Sequence, residues 1–423
     1  MKPERFTAGV FVVVVTTLML LAFYSFVTNK LTQATNANKL ETIAIDWEQL
    51  YPFEEGKREF ASKVLSLYDY LKDRIEQYTS TNLPCYYDLT DAAKKYENAL
   101  GWNMVSVSDY NAVVKLRDGY LTTYTMSLDV APDAESVKDF ADFCAERGID
   151  FAYINFPTKV CVSEDRDISG VLDFANQNAD RFLAMLRDSG VRCYDFREAL
   201  HAAGMKHHEA FYITDHHWKA ETGLWAAGKV LEILRDDLGW NVEPEIIAPE
   251  NFEYVVYRDW FLGSQGKKVT LARTKPDDFT MIYPKFDTSL KFEAASLGLD
   301  LSGDFGITYN MNEVVPRNYY SKNPYGAYIY ASPQLTRIEN KLNTNGKRLL
   351  IVKDSFSICV IPFVALGVQY VDAIDLRHFT GSIKSFVNKV RPDAVIVEYY
   401  STEPGRTSQP SPSETDKKLY DFR

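Results

Sequence analysis

Basic clusters are missing from this chain: no run of Lys or Arg exceeds pairs such as Lys267-Lys268, and the net charge is −11. Nucleic acid is bound by grouped cations that displace counterions, so a DNA or RNA ligand is excluded. Cys-x-x-C pairs are absent too. The five cysteines, Cys85, Cys144, Cys161, Cys193 and Cys359, are scattered, which excludes zinc ribbons and dithiol redox motifs. An odd count leaves at least one thiol unpaired within the chain, and the pairing of the other four stays open. There is no H-E-x-x-H and no internal repeat.

Only one long apolar run occurs. Between Phe6 and Val27 no side chain is charged, and Val10 to Val15 is followed by Leu18-Met19-Leu20-Leu21. About 20 apolar residues in a helix match a hydrocarbon core of roughly 30 Å. Lys2 and Arg5 precede the run, so the positive-inside bias keeps the N-terminus cytoplasmic and the remainder outside. A cleaved signal peptide is the alternative, but bulky Phe23-Tyr24-Ser25-Phe26 offers no small-x-small site. Residues 6–28 are thus expected to be a transmembrane signal anchor in a single-pass cell-membrane protein.

Residues 29–109 read as a linker and a helical stalk. Phe60, Val64, Leu67, Leu71, Ile75 and Tyr78 recur at steps of three or four, with Lys63, Asp69, Lys72, Asp73 and Glu76 between them. From about 110 to 402, apolar strands alternate with helices. The strands are 150–157, 191–195, 348–352 and 393–398; helices precede the first two, around 137–147 and 172–189. Such alternation predicts a doubly wound α/β domain around a parallel sheet. The stretch 240–335 has weak periodicity and is rich in Tyr, Gly, Asn, Asp and Pro, so long inserted loops are expected there. Residues 403–423 read as a polar C-terminal tail.

Two segments could carry chemistry. Val352-Lys353-Asp354-Ser355-Phe356 ends a buried strand and enters a helix, which would set the Ser355 hydroxyl at the carboxyl edge of the sheet. Neighbouring backbone N–H groups at such a turn face an oxyanion. Helix capping by Asp354-Ser355 is the bland explanation of the same pair. The other segment is Tyr212-Ile213-Thr214-Asp215-His216-His217-Trp218. In extended backbone Asp215 and His217 leave the same face, so the carboxylate can fix the imidazole tautomer and leave one nitrogen as base for a serine. His216 is then expected on the opposite side. Trp218 either shields the pair or packs on the sheet. Five of the six histidines (His201, His207, His208, His216, His217) fall together, which suggests a metal. No second His- or Cys-rich segment is present to complete a shell, so no metal is expected.

At Thr214-Asp215-His216-His217-Trp218 the sequence resembles the DHHW family. It is similar to the SGNH-hydrolase-like proteins of alginate and other exopolysaccharide O-acetylation. The likeness extends to Pro157-Thr158-Lys159, Lys353-Asp354-Ser355-Phe356, Asp375-Leu376-Arg377 and Arg391-Pro392-Asp393. It implies a flavodoxin-like SGNH sheet with Ser355 as nucleophile, His217 as base and Asp215 orienting it. It also implies O-acetyl transfer to a cell-surface or exported polysaccharide, with acyl groups supplied by a multispanning membrane-bound O-acyltransferase. No cofactor beyond an acyl donor is implied. Lys353 replaces the glycine of the usual Gly-Asp-Ser. Gly263, in Phe261-Leu262-Gly263-Ser264, is the candidate oxyanion donor, and Lys159 and Arg377 are candidates to line the cleft and bind an anionic or hydroxyl-rich acceptor. Two rival functions stand beside this: an acyl-ester hydrolase with the same triad, and a non-catalytic polysaccharide-binding subunit of a membrane acylation complex.

Overall fold

The computed structural model describes residues 92, 95, 96, 113–116, 119–161, 173–410 and 412–423. The chain divides into compact units 1–96 and 97–423, and nearly all described residues fall in the second. The expected anchor at 6–28 and the stalk helix through Tyr78 lie outside the described residues. Among the described residues no helix is long and apolar enough to cross a membrane.

In chain order the regular elements are β1 (Val114–Lys115), β2 (Leu121–Thr122), α1 (Ala131–Ala145), β3 (Asp150–Phe156), α2 (Ala175–Asp188), β4 (Cys193–Asp195) and α3 (Phe196–Ala202). Then come α4 (Ala220–Asp236), β5 (Phe252–Phe261), α5 (Ser264–Val269), β6 (Asp277–Pro284), β7 (Leu290–Ala294), β8 (Leu299–Gly303) and β9 (Leu335–Asn340). The last are β10 (Arg348–Lys353), α6 (Ile361–Gly367), β11 (Tyr370–Ile374), α7 (Ile383–Val390) and β12 (Ala394–Tyr400). Eight strands form one sheet in the order β4-β3-β12-β10-β11-β9-β7-β8. The first five run parallel, as the sequence pattern predicts. The last three join antiparallel.

Both faces of the parallel half are covered. Ile154, Leu349, Ile351 and Ile396 face a core shared with Phe196 of α3, Leu224 and Val230 of α4 and Phe363 of α6. Their sequence neighbours Tyr153, Leu350, Val352, Val395 and Val397 face the other core, with Phe140 of α1, Phe182 of α2 and Val387 of α7. Alternate residues of a strand point to opposite faces, so apolar side chains at every position require helices on both sides. Three of the runs read from the sequence, β3, β10 and β12, therefore mark the interior of the parallel half, and the fourth, 191–195, holds the edge strand β4.

Two expectations are corrected. The 240–335 stretch is not mere loop, because β5 and β6 pair as a separate antiparallel ribbon and β7 and β8 widen the main sheet. Residues 403–423 are not a free tail either. Leu419, Tyr420 and Phe422 are buried in the second core, Phe422 stacks on Phe140, and the Tyr399 hydroxyl donates to the Leu419 carbonyl.

Candidate active site

Strand β10 ends at Lys353, and Asp354 shapes the turn after it. Asp354 accepts from the Phe356 amide at 2.8 Å with one oxygen and from the Tyr400 amide at 2.7 Å with the other. It thereby caps the short 3-10 turn Ser355–Cys359 and ties it to β12. The capping explanation of the Asp-Ser pair holds for Asp354 and leaves Ser355 to project from the sheet edge, half-buried.

The Asp-His segment is a tight reversal. Phe211 and Trp218 pair as an antiparallel bridge, and the Tyr212 amide donates to the His217 carbonyl at 3.2 Å. The tip is held by Asp277, at the start of β6, which accepts from the Ile213 amide (2.8 Å), the Thr214 amide (2.8 Å) and the Thr214 hydroxyl (2.6 Å). Asp215 in turn accepts from the His217 amide at 3.0 Å. A turn, rather than the expected extended strand, brings Asp215 and His217 together. His216 accordingly does not lie on the far side: its ring centroid is 3.8 Å from that of His217, and its Nδ1 is 3.1 Å from Ser264 Oγ.

Ser355, His217 and Asp215 are in line. His217 Nε2 is 2.7 Å from Ser355 Oγ, and His217 Nδ1 is 2.5 Å from Asp215 Oδ1. Asp215 Oδ2 accepts from the Ser264 amide at 2.6 Å. Burial would raise the Asp215 pKa, but the His216 and His217 rings and the hydrogen bonds from His217 and Ser264 outweigh it and hold the carboxyl well below the usual range. An ionised carboxylate only accepts, so Nδ1 carries the proton and Nε2 is the acceptor for the serine hydroxyl.

The remaining candidates divide. Arg377 lines the same cleft as Ser355, its Nε and Nη2 donating to Asp375 at 2.9 and 2.7 Å. Lys159 does not line the cleft. It is fully buried, donates to the Leu121 carbonyl at 2.6 Å and Gln265 Oε1 at 3.2 Å, and burial pushes its pKa down to about 7. Gly263 is no oxyanion donor, because its amide is spent on Thr214 Oγ1 at 2.8 Å. A Cβ there would sit 2.3 Å from Asp215 Cβ, so the glycine exists to let Asp215 pack. Trp218 is fully buried and donates its indole N–H to the Phe356 carbonyl at 3.0 Å; of its two expected roles, packing is the observed one.

Sequence reasoning missed Asp277 and Tyr325, both in the stretch read as loops. Tyr325 stacks on His217 with centroids 4.0 Å apart and donates its hydroxyl to the Phe356 carbonyl at 3.1 Å. None of the four described cysteines, Cys144, Cys161, Cys193 and Cys359, is in a disulfide with another of them. In front of Ser355 lies a cleft of about 460 Å³, walled by residues 123–126, His216, Arg377, Tyr400 and Arg406. Among the described residues, two groups bring ligating atoms within 4.8 Å of one another: Asp215, His216 and His217, and Cys161, His201 and His207.

A doubly wound sheet with a serine at the carboxyl edge of a central strand and an Asp-x-His loop over it resembles the SGNH-hydrolase-like arrangement that the motifs imply. The comparisons agree. Residues 117–248 match the family model described as the SGNH hydrolase-like domain of the acetyltransferase AlgX. Among solved structures, PatB1 of Bacillus cereus is similar with a TM-score of 0.59 at 15% identity, over 74% of this chain and 98% of that one. A DHHW family protein from Eubacterium siraeum DSM 15702 is similar with a TM-score of 0.53 at 16% identity, over 74% and 96%. No curated protein sequence matches the chain. The resemblance read from the motifs is thus borne out, with the family match covering the Asp-x-His segment.

Proposed function

We propose that this chain is a membrane-anchored, extracytoplasmic O-acyltransferase that places acetyl groups on hydroxyls of a cell-surface or exported polysaccharide. The observation that carries it is the unbroken line Ser355–His217–Asp215, with one hydrogen bond from hydroxyl to imidazole and one from imidazole to carboxylate. Ser355 Oγ attacks the donor's acyl carbonyl while its proton passes to His217 Nε2. The tetrahedral adduct collapses, the donor's leaving group takes that proton, and an acyl-serine remains. An acceptor hydroxyl then gives its proton to His217 and attacks the acyl carbon. Ser355 leaves, takes the proton back, and the new ester departs. Asp215 stays ionised and stabilises the imidazolium formed in both halves. The amide of Ser355, first in its turn and so without an intrahelical acceptor, is free to donate to the oxyanion.

Charge in the cleft favours a neutral, hydroxyl-rich acceptor over an anion. Both guanidiniums of the cleft are matched by carboxylates, Arg377 by Asp375 and Arg406 by Glu403 at 3.1 Å and Asp416 at 2.6 Å, and Lys268 at the exposed rim is the remaining cation of the lining. The anchor expected at residues 6–28 would hold the domain beside the membrane, where a multispanning O-acyltransferase can supply the acyl group. Hydrolysis by the same set is a second reading, favoured by the half-buried Ser355 that an open cleft exposes to water.

The test is to incubate the full chain with an aryl acetate and oligosaccharides, and to weigh the sugars by mass spectrometry. Acetylated sugar that disappears in Ser355→Ala is the expected result. Release of acetate with no sugar product would establish the hydrolase instead, and unchanged transfer by Ser355→Ala would sink both. PatB1 of Bacillus cereus has been solved with a sulfonyl adduct. A sulfonyl fluoride is therefore a suitable probe here, and should label Ser355 and not the alanine variant.

A further inference from the structure

The histidine cluster in the sequence splits in space. His216 and His217 go to the serine, while His201, at the end of α3, and His207 turn to Cys161, which follows the Pro157-Thr158-Lys159 turn after β3. We propose that Cys161, His201 and His207 form a binding site for a single zinc ion, behind the Tyr400 that lines the cleft. The missing ligand-bearing segment, whose absence argued against a metal in the sequence, is a lone cysteine some forty residues upstream.

Three geometric observations support it. Cys161 Sγ and His201 Nε2 are 3.6 Å apart. Two ligands at Zn–S of about 2.3 Å and Zn–N of about 2.0 Å in a tetrahedral angle are separated by about 3.5 Å. All three ligating atoms lie within 4.8 Å of one another, and the exposed His201 ring is the partner able to pivot and close the remaining gap. His207, buried like Cys161, has its Nε2 2.6 Å from the Thr158 carbonyl. A carbonyl only accepts, so Nε2 carries the proton and Nδ1 is the basic nitrogen. This is the outer hydrogen bond by which metal-binding histidines are fixed. A thiolate with two imidazoles suits zinc, with water in the fourth position.

The ion would act at a distance from the reacting atoms. Thr158, which holds His207, also places its hydroxyl 3.3 Å from that of Tyr400, and Tyr400 stacks on Phe356 at 4.2 Å, beside Ser355. Filling the site therefore stiffens the floor on which the serine turn rests.

The experiment uses the full chain in detergent, stripped with a chelator and titrated with cobalt(II) as a spectroscopic stand-in. One equivalent should give a thiolate-to-cobalt charge-transfer band and intense tetrahedral d–d bands, both bleached by equimolar zinc. Cys161→Ser should lose the charge-transfer band. His201→Gln, at an exposed position that leaves the fold intact by circular dichroism, should weaken cobalt binding by about 100-fold or more. His217→Gln should leave the bands unchanged. No cobalt spectrum in the intact chain would overturn the proposal, leaving a plain S–H···N hydrogen bond. Bands that survive in Cys161→Ser and His201→Gln but vanish in His217→Gln would overturn it too, placing the ion at Asp215, His216 and His217.

Discussion

Trp218 grips the Phe356 carbonyl through its indole N–H at 3.0 Å, so the residue after the base holds the residue after the hydroxyl. The two halves of the site, 138 residues apart, are thereby fastened by a bond that belongs to neither reacting group. Tyr325 donates to the same carbonyl, so removing the indole donor does not orphan it. Trp218→Phe should cost about 1–3 kcal/mol, combining one lost hydrogen bond with a small cavity. Its larger effect should be on turnover, on the order of 10- to 100-fold in kcat with KM little changed, because the Ser355–His217 distance loosens. Urea unfolding and steady-state aryl acetate kinetics on one preparation would separate the two effects. An equal loss in KM would argue that Trp218 serves substrate binding instead.

Gly263 offers a test of packing against chemistry. Alanine there would place a methyl 2.3 Å from Asp215 Cβ and 2.6 Å from Asp215 Oδ2. Asp215 must move, and with it the His217 ring. Gly263→Ala should therefore destabilise the fold by about 1–3 kcal/mol, typical of overpacking, and lower kcat sharply. Near-normal turnover in Gly263→Ala would mean that Asp215 can yield to the methyl without losing its hold on His217, and would overturn the packing role given to Gly263.

How far the sequence could be read depends on these contacts. The central strands were legible because β3, β10 and β12 are buried on both faces and so are apolar at nearly every position. Ser355, His217 and Asp215 were legible because each sits in a short motif. The supports were not. Asp277 and Tyr325 act through contacts with residues dozens of positions away, inside a stretch whose strands lack a continuous apolar signature. β5, with its middle residues mostly exposed, is the clearest case. Lys159 misled for a related reason: a lysine near a strand end is ordinarily a solvated cation, and only the fold reveals three segments closed around it. The last residues, Leu-Tyr-Asp-Phe at 419–422, look like a tail until Phe140 is seen waiting for Phe422.

Asp215→Asn tests the carboxylate separately from the fold. Asparagine keeps the shape, but its amide can donate to Nδ1 and stabilise the tautomer whose Nε2 carries the proton and cannot take one from Ser355. A drop of about 10⁴ in kcat is expected, the size of loss seen when a triad carboxylate becomes an amide. The label from a sulfonyl fluoride should slow in parallel, since it needs the same activated hydroxyl. Labelling at the normal rate with lost transfer would mean that Asp215 acts only in the second half-reaction.

Glu398 gives the protein a built-in cost at neutral and alkaline pH. It lies on β12, fully buried, and neither carboxyl oxygen has a hydrogen-bond partner among the described residues. Burial lifts its pKa from 4.5 to about 8, with the nearby Ser357 hydroxyl opposing and the Asp354 carboxylate adding to the rise. Between those two pH values the native state holds a proton that the unfolded chain has released, so stability falls as pH rises. Below about pH 4.5 both states are protonated and the penalty is absent; above about pH 8 both are ionised and it levels off, at roughly 3–5 kcal/mol. Glu398→Gln is neutral at every pH and escapes this. Thermal unfolding of the variant and the unaltered chain should therefore nearly coincide at pH 5 and diverge steadily to pH 8, with the glutamine form the more stable. Titrating groups that do not interact with Glu398 cancel in the difference, whereas Asp354, whose charge acts on Glu398, contributes to it. Parallel curves across that range would mean that Glu398 is ionised in the native state, with its charge met by a partner outside the described residues.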